Sequence, residues 1–591
     1  MSYFKLNTFN GIAPLIEPRL LKNEVGVTAQ NVNLERGNLN ALFTNGAHAT
    51  LNASSITSHY QYKFGGTTYN LEFDDDVNVV PGPIPDDAFD RLYWTGQTFP
   101  RMASSTQITT GGSGAFPRSS FRLGIEVPAN APNAATPTGT DDGTQIKYST
   151  AYVYTFVSAF GEEGPPSAAS NVVTKVDGQS VVVSNLSTAA AKSNTNYGSG
   201  VGTKRIYRSN TGSNTTDFQF VAEVTMATTS FTDTANNDAL GEVIPSTFWI
   251  APPDDDSTLY PNGQMKGLTA IGNGIFAGFS GKRLCFSEPF LPHAWPVAYR
   301  ITLEDEIVGI SMAGSVLFIG TKGTNYIAAG TDPQAMTIQK LEAAEPLLYK
   351  RSLVDMGGYC IYSGPDGLIA VENGQVTNLT QGLISPDQWK GTFVVQSAGM
   401  HEGKYVGQHS LPGQTPQAII FDPRGDVNAL TTVDTLLNNL SNTNRGFYTD
   451  PDTNQLFLIN KPASGNCTIE SFDDSATDTK RTFVFKSKEF VLPRPSSMNF
   501  VKVEADSYAG AGVTVKVFGD GTEIFEATIT ASGSVFSATG AAPTSFSATQ
   551  IQEPILRLPT GVHKVYQVEV ASANPVHEVC IGESIDELRS I

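Results

Sequence analysis

Carboxylates and imidazoles are the side chains through which this sequence could do chemistry, and their spacing is informative. Asp366, in the stretch SGPDGLIAV at 363–371, is the kind of residue that glycoside hydrolysis uses in pairs. DPDTN at 450–454 offers oxygen ligands of the sort that hold Ca²⁺. A calcium loop also needs a central Gly and a terminal Glu, and both are missing, so turn geometry is the better account of each stretch. The histidines, His48, His59, His293, His401, His409, His563 and His577, fall in different segments, and none stands with a Ser in a nucleophile-elbow context. HExxH is absent, as are GxGxxG after a strand and GxxxxGK followed by Ser or Thr. The glycine-rich stretch 272–282 runs into a strand pattern, not a helix. Cys285, Cys360, Cys467 and Cys580 stand singly, with no CxxC pair and no His at ligand spacing, and read as reduced core residues. The expectation is a protein with no catalytic residue, no cofactor and no bound metal.

Net charge argues against a protein that grips nucleic acid. At −19 the chain lacks the Lys and Arg excess that displaces counterions from phosphate. An acidic surface past which DNA slides without sticking is compatible with that charge, and so is simple solubility. Aromatic content of 10% would permit a sugar- or receptor-binding surface, but Trp94, Trp249 and Trp389 lie in strand contexts and read as core. PFLPHAWP at 289–296 is the exception. Its prolines predict a rigid loop with His293 and Trp295 exposed, a candidate subunit contact. Arg424-Gly425-Asp426 fits a turn after Ile420 and Phe421. Residues 1–10 have no signal-peptide pattern, and no stretch of 18 apolar residues occurs, which predicts a soluble protein made in a cytoplasm.

The elements that must position these residues are strands. A chain of 591 residues exceeds one hydrophobic core and predicts about three or four domains. With 16% charged residues, 55 Gly and 34 Pro, many short strands joined by turns are favoured over long surface helices. NVNLERGNLNAL at 31–42 reads as two strands turning at Arg36-Gly37-Asn38, and HYQYKF and TTYNLEF as a hairpin around Gly65-Gly66. Residues 106–143 read as a loop or linker; 106–114 and 187–202 read as solvated excursions or gate loops. Residues 146–236 carry Tyr148, Tyr152, Tyr154 and Phe156 mostly on one face and have the size of a β-sandwich module; with GEEGPPS at 161–167 and the Tyr207-Arg208 strand they resemble a fibronectin type III domain. Between 259 and 493, strand pairs around glycine turns recur about every 40 to 45 residues, the spacing of four-stranded propeller blades. From Phe500 onward alternation returns, with a hairpin turn at Asp520-Gly521, and SIDELRSI closes on one short helical turn. The expected fold is mainly β and multi-domain: an N-terminal platform at 1–145 with strands completing a propeller, a fibronectin type III-like sandwich at 146–236, propeller blades at 237–490 and a C-terminal β-sandwich at 491–591.

Three separated segments, in this order, resemble the nozzle protein of short-tailed phages, the tail tubular protein B family. They are GIAPLIEPRLL with AQNVNLERGNLNAL, then GLTAIGNGIFAGFSGKRLCFSEPFLPHAWP, then LRLPTGVHKVYQVEVAS with IDEL. The likeness spans most of the chain. It implies a virion tail protein, assembled in the host bacterial cytoplasm, whose propeller-containing subunits form a homohexameric ring below the portal. That ring would be the distal channel for DNA ejection. Implied partners are the adaptor ring, tail fibres or spikes and a needle or tip protein, with double-stranded DNA in transient passage. On this reading Asp74, Asp75, Asp76, Asp254, Asp255, Asp256, Glu304, Asp305 and Glu306 are candidate lumen-facing groups; solvated loops are the plainer account of them. Residues near Leu39 and Leu71 should lie beside those near Phe483. The alternatives are a receptor- or glycan-binding tail module and, more remotely, a propeller hydrolase. For the hydrolase, the segment around Asp366 departs from the aspartate box of sialidases in spacing and lacks its closing Thr-Trp.

Overall fold

The computed structural model describes residues 3–198, 200–211, 216–409, 417–424, 429–437, 446–531, 535–537 and 555–589, and it is mainly β, built from many small, mostly antiparallel sheets. Short two-residue turns set this pattern. Asn373-Gly374 and Asp520-Gly521 both have positive φ at each position, the twist that matches tightly paired strands. Gly65-Gly66 turns its hairpin the same way.

Seven of the sheets make a closed cycle. Sheet I is the hairpin of Ser58–Phe64 with Thr67–Phe73, and sheet II holds Asn78–Pro81, Leu92–Thr95, Arg101–Ala103 and Phe121–Arg122. Sheet III runs from Lys266–Ile271 to Arg300–Thr302, sheet IV from Ile307–Ala313 to Thr337–Lys340, and sheet V from Val354–Asp355 to Gln375–Asn378. Sheet VI begins at Ser397–His401 and ends at Ala429–Val433; sheet VII begins at Phe447–Thr449. From II to VII the first strand of each sheet packs on the first strand of the next, and that of VII packs on Ser58–Phe64 of sheet I. The amide of Val77 donates to Ser58 Oγ at 2.9 Å, which joins I to II. Strands faced on both sides read as unbroken buried runs, and Ile275–Ser280 and Lys404–His409 bury every residue. Neighbouring sheets share cores: Ile275 and Phe286 of III meet Leu317 and Ile319 of IV, and Phe318 of IV stacks on Tyr362 of V.

The N-terminal fifty residues stitch distant parts together. Gly46–Thr50 is the fourth strand of sheet VII, paired with Thr468–Ser471. Thr28–Gln30 bridges Thr432 of sheet VI to Phe483–Lys486, so one sheet continues from the cycle into the C-terminal strands. Tyr3–Leu6 edges a second C-terminal sheet beside Val576–Gly582 and Phe500–Ala505. These two C-terminal layers enclose Val503, Val515, Val570 and Ile581. Between sheets II and III the chain leaves the cycle and forms three small sheets from Asn133–Ala134 to Phe231–Asp233, closed around Tyr152, Tyr154, Phe156, Tyr197 and Ile206.

The neighbourhood expected of Leu71 and the linker reading of 106–143 change here. Sheets I and II and the strand Gly46–Thr50 bring much of the region 46–122 into the cycle. Leu39 bridges Val576 and shares a core with Phe483, whereas Leu71 sits in a different core with Tyr62, Phe73 and Trp94. Leu71 belongs to the hairpin that faces sheet II, and so it cannot reach the seam with the C-terminal layers. The stretch 106–143 is not bare linker: Ser105–Thr109 is a short helix with a capping box between Ser104 and Gln107, and it buries Ile108. In 187–202, of which residue 199 is not described, Asn196 and Tyr197 are buried. All four cysteines are free and buried.

Gly11 shows how closely the N-terminal strand seats. A Cβ there would lie 2.3 Å from the carbonyl oxygen and 2.4 Å from the amide nitrogen of Leu430. Backbone cannot yield as a flexible side chain does. Gly11→Ala is expected to cost about 1–3 kcal/mol, as overpacking does. Faster hydrogen exchange of the amides at 10–12 and 429–433 is the readout; protection equal to wild type would refute the clash.

Candidate functional site

The first strands of sheets II to VII surround a cavity of about 370 Å³. Its walls mix small and apolar residues such as Gly267, Ala270, Ile310 and Ala398 with the polar Asn78, Ser311, Asp355 and Thr449. Lys350 and Arg351 also line it, held on the single turn Lys350–Ser352 that precedes sheet V. Arg351 Nη2 donates to Ser58 Oγ and to the Val77 carbonyl, both at 2.9 Å, and its guanidinium is ion-paired with Asp76. Lys350 Nζ lies 3.1 Å from Asp76 Oδ1. Burial works against the Asp76 carboxylate, but Arg351 and Lys350 outweigh it and keep its pKa below the ordinary value. Burial pulls Lys350 down to about 8 despite Asp76. The cluster ties sheet V to the start of the cycle. It contains no nucleophile paired with a base, and among the described residues no group of three or more His, Cys, Asp or Glu is placed to hold a metal.

A second cavity, of about 360 Å³, lies at the seam between sheets VI and VII and the N-terminal segment. Glu35 reaches Lys404 at 3.2 Å and Arg424 at 3.5 Å, and Arg424 is also paired with Asp422 at 3.0 Å. Burial lowers His401 to about 4, so the ring is neutral at pH 7, and burial raises the neighbouring Asp473. Of the tripeptide that begins at Arg424, Gly425 and Asp426 lie outside the described residues.

In the acidic clusters named from sequence, Asp76, Asp254, Asp255, Glu304 and Glu306 are ion-paired within the chain. Asp74 and Asp75 are exposed, while Asp76 is held by Lys350 and Arg351. Asp254 is buried with Arg122 and Lys192; Asp255 pairs with Arg122 at 2.7 Å, and Asp256 caps the amides of Thr258 and Leu259. Glu304 pairs with Lys340 at 2.6 Å, Glu306 with Lys322 at 2.5 Å, and Asp305 accepts from the Thr324 amide. Each cation comes from a distant segment, which spacing along the chain does not reveal. Asp366 pairs with Lys390 at 3.0 Å, and Asp450 and Asp452 hold Lys63.

The expected contact pair is overturned. His293 and Trp295 are 2% and 0% exposed within the single chain. Trp295 Nε1 donates to the Pro292 carbonyl at 2.7 Å, and the ring packs among Tyr93, Met265 and Phe276. His293 Nε2 sits 3.2 Å from the Glu163 carbonyl, so the proline-rich loop turns inward and fastens the inserted sheets to the cycle. Lys350 and Arg351 were missed in the sequence; adjacent cations before a strand in a charge-poor chain were the available signal.

No protein-family model matches the chain, and no curated protein sequence does. Among solved structures it is similar to PorZ of Porphyromonas gingivalis, a surface component of the type-IX secretion system, at 10% identity over 86% of this chain and 54% of that one, with a TM-score of 0.27. YCF48 from Cyanidioschyzon merolae matches at 13% identity over 51% and 94%, TM-score 0.25. An exo-beta-1,3-galactanase from Phanerochaete chrysosporium matches at 9% over 53% and 95%, TM-score 0.20. At these TM-scores the likenesses carry no argument about mechanism.

Proposed function

We propose that the chain is a structural subunit of a virus particle, the nozzle of a short-tailed phage tail, and not an enzyme. In this reading the cycle of seven sheets is a β-propeller, the inserted sheets are a fibronectin type III-like sandwich, and the C-terminal layers are a second sandwich. The observation that carries it is continuity. One sheet runs from the propeller through Thr28–Gln30 into the C-terminal strands, so two modules form one stiff block. A closed ring needs rigid flanks that repeat from copy to copy, and sheet-built blocks with few free edges supply them. The three sequence segments that resemble nozzle proteins add the direction of the inference. A homohexamer would meet an adaptor ring on one side and fibres, spikes or a tip protein on the other. DNA would pass without specific contact, since the chain carries −19 net charge and cations such as Arg122, Lys350 and Arg424 are held in internal pairs.

The test is the size and symmetry of the purified full-length protein by electron microscopy, across a concentration series. Six-membered rings with an open axis are expected. A monomer without a hollow axis at every concentration, or turnover on a bacterial polysaccharide, would overturn the reading.

A further inference from the structure

Beside sheet II lies an open cleft of about 390 Å³, lined among others by Gln97, Arg101, Arg118, Ser119, Ser120 and Asn194. Its two guanidinium groups are held by aromatic rings instead of carboxylates. Arg101 Cζ stacks 4.2 Å from the centre of the Phe99 ring, and Arg118 Cζ stacks 4.1 Å from that of Phe116. Stacking fixes the plane of each fork. Arg101 Nη1 donates to Ser120 Oγ at 3.0 Å, while its Nε is buried with no hydrogen-bond partner. Arg122 stacks on the same Phe99 ring at 3.7 Å, but Asp254 and Asp255 neutralise it. Among the described residues neither Arg101 nor Arg118 has an ion-pair partner within 4 Å, and the carboxylates that act on Arg101 from farther off are those of Asp75 and Asp255. Glu72 also borders the cleft; its carboxylate, still charged, is turned to Asn52, accepting from the backbone amide at 2.9 Å and from Nδ2 at 2.7 Å.

Two unpaired forks with hydroxyl and amide donors at one cleft suit a tetrahedral oxyanion, which can accept from several directions at once. We infer that this cleft binds an oxyanion of the phosphate or sulfate class, free or carried on a larger molecule. The inference does not depend on ring assembly, because all these groups come from one chain.

The test titrates the full-length protein with sodium phosphate and with sodium sulfate at constant ionic strength balanced by chloride, followed by calorimetry. Saturable binding is expected, weakened about tenfold or more in Arg118→Gln and in Arg101→Gln. Arg118→Gln is the cleaner variant, since the Arg118 guanidinium stacks on the Phe116 ring and forms no ion pair among the described residues, and its circular dichroism and unfolding midpoint should match wild type. Arg19→Gln, removed from the cleft and paired with Glu17, should bind as wild type does. A parallel titration with dextran sulfate separates the sources: preference for the polymer assigns a carried anion, and preference for the salt a free one. Equal curves for wild type and both cleft variants, or a response that chloride reproduces, would overturn the site.

Discussion

Trp295→Ala is expected to destabilise the single chain by about 3–5 kcal/mol, the range for removing a large aromatic side chain from a core. Trp295 has no exposed surface; around it lie Val80, Tyr93 and Met102 of sheet II, Leu268 and Phe276 of sheet III, and Met265 just before sheet III. Its indole N–H satisfies the Pro292 carbonyl, and its own carbonyl accepts from Arg300 Nη2 at 3.2 Å. Truncation therefore leaves a cavity and an unpaired acceptor at the joint between two sheets. Urea unfolding of full-length protein, followed by the signal of that region, measures the loss. A variant that keeps the wild-type midpoint yet fails to assemble would restore Trp295 to the role of subunit contact.

The contrast between Trp295 and the hairpins shows where the sequence is readable. Gly65-Gly66, Asn373-Gly374 and Asp520-Gly521 declare their turns because few residues tolerate positive φ at successive positions. The repeat is legible for a related reason, since the strands of sheets I to VI pair with their sequence neighbours in local meanders. Partners from opposite ends of the chain leave no such mark. Nothing in the alternation of residues 46–50 says that they complete a sheet with 468–471, or that 28–30 will pair with 483–486. Periodicity specifies which face is buried and is silent about the partner. Proline density misled in the same way. It fixes the stiffness of 289–296, but a stiff loop can lie under another module as well as over solvent. The acidic clusters were found as composition and could not be read as pairs, because Lys350, Arg122 and Lys340 arrive from other segments.

Asp233→Ala should be as costly as the loss of Trp295, by a different route. In the inserted sheets Asp233 and Arg208 have no exposed side-chain surface, and Arg208 Nη1 donates to Asp233 Oδ2 at 2.6 Å. Lys175 Nζ, also buried, stands 3.9 Å from the same oxygen, and the Tyr152 hydroxyl donates to it at 2.7 Å. Burial depresses the pKa of Lys175, and Asp233 opposes that shift. Two cations thus share one carboxylate, and the carbonyls of Ala235 and Asn236 accept from Arg208 Nη1 and Nη2, while Nε is buried without a hydrogen-bond partner. Deleting the carboxylate leaves both charges buried without a counter-ion, a change that costs about 3–5 kcal/mol when one partner of a buried pair is removed. Tyr152→Phe, which removes one neutral donor, should cost only about 1 kcal/mol. Hydrogen exchange over residues 150–236 in the intact protein reads both effects. Protection in Asp233→Ala that matches Tyr152→Phe would mean that water reaches the cations and that the network is not the fastening of this module.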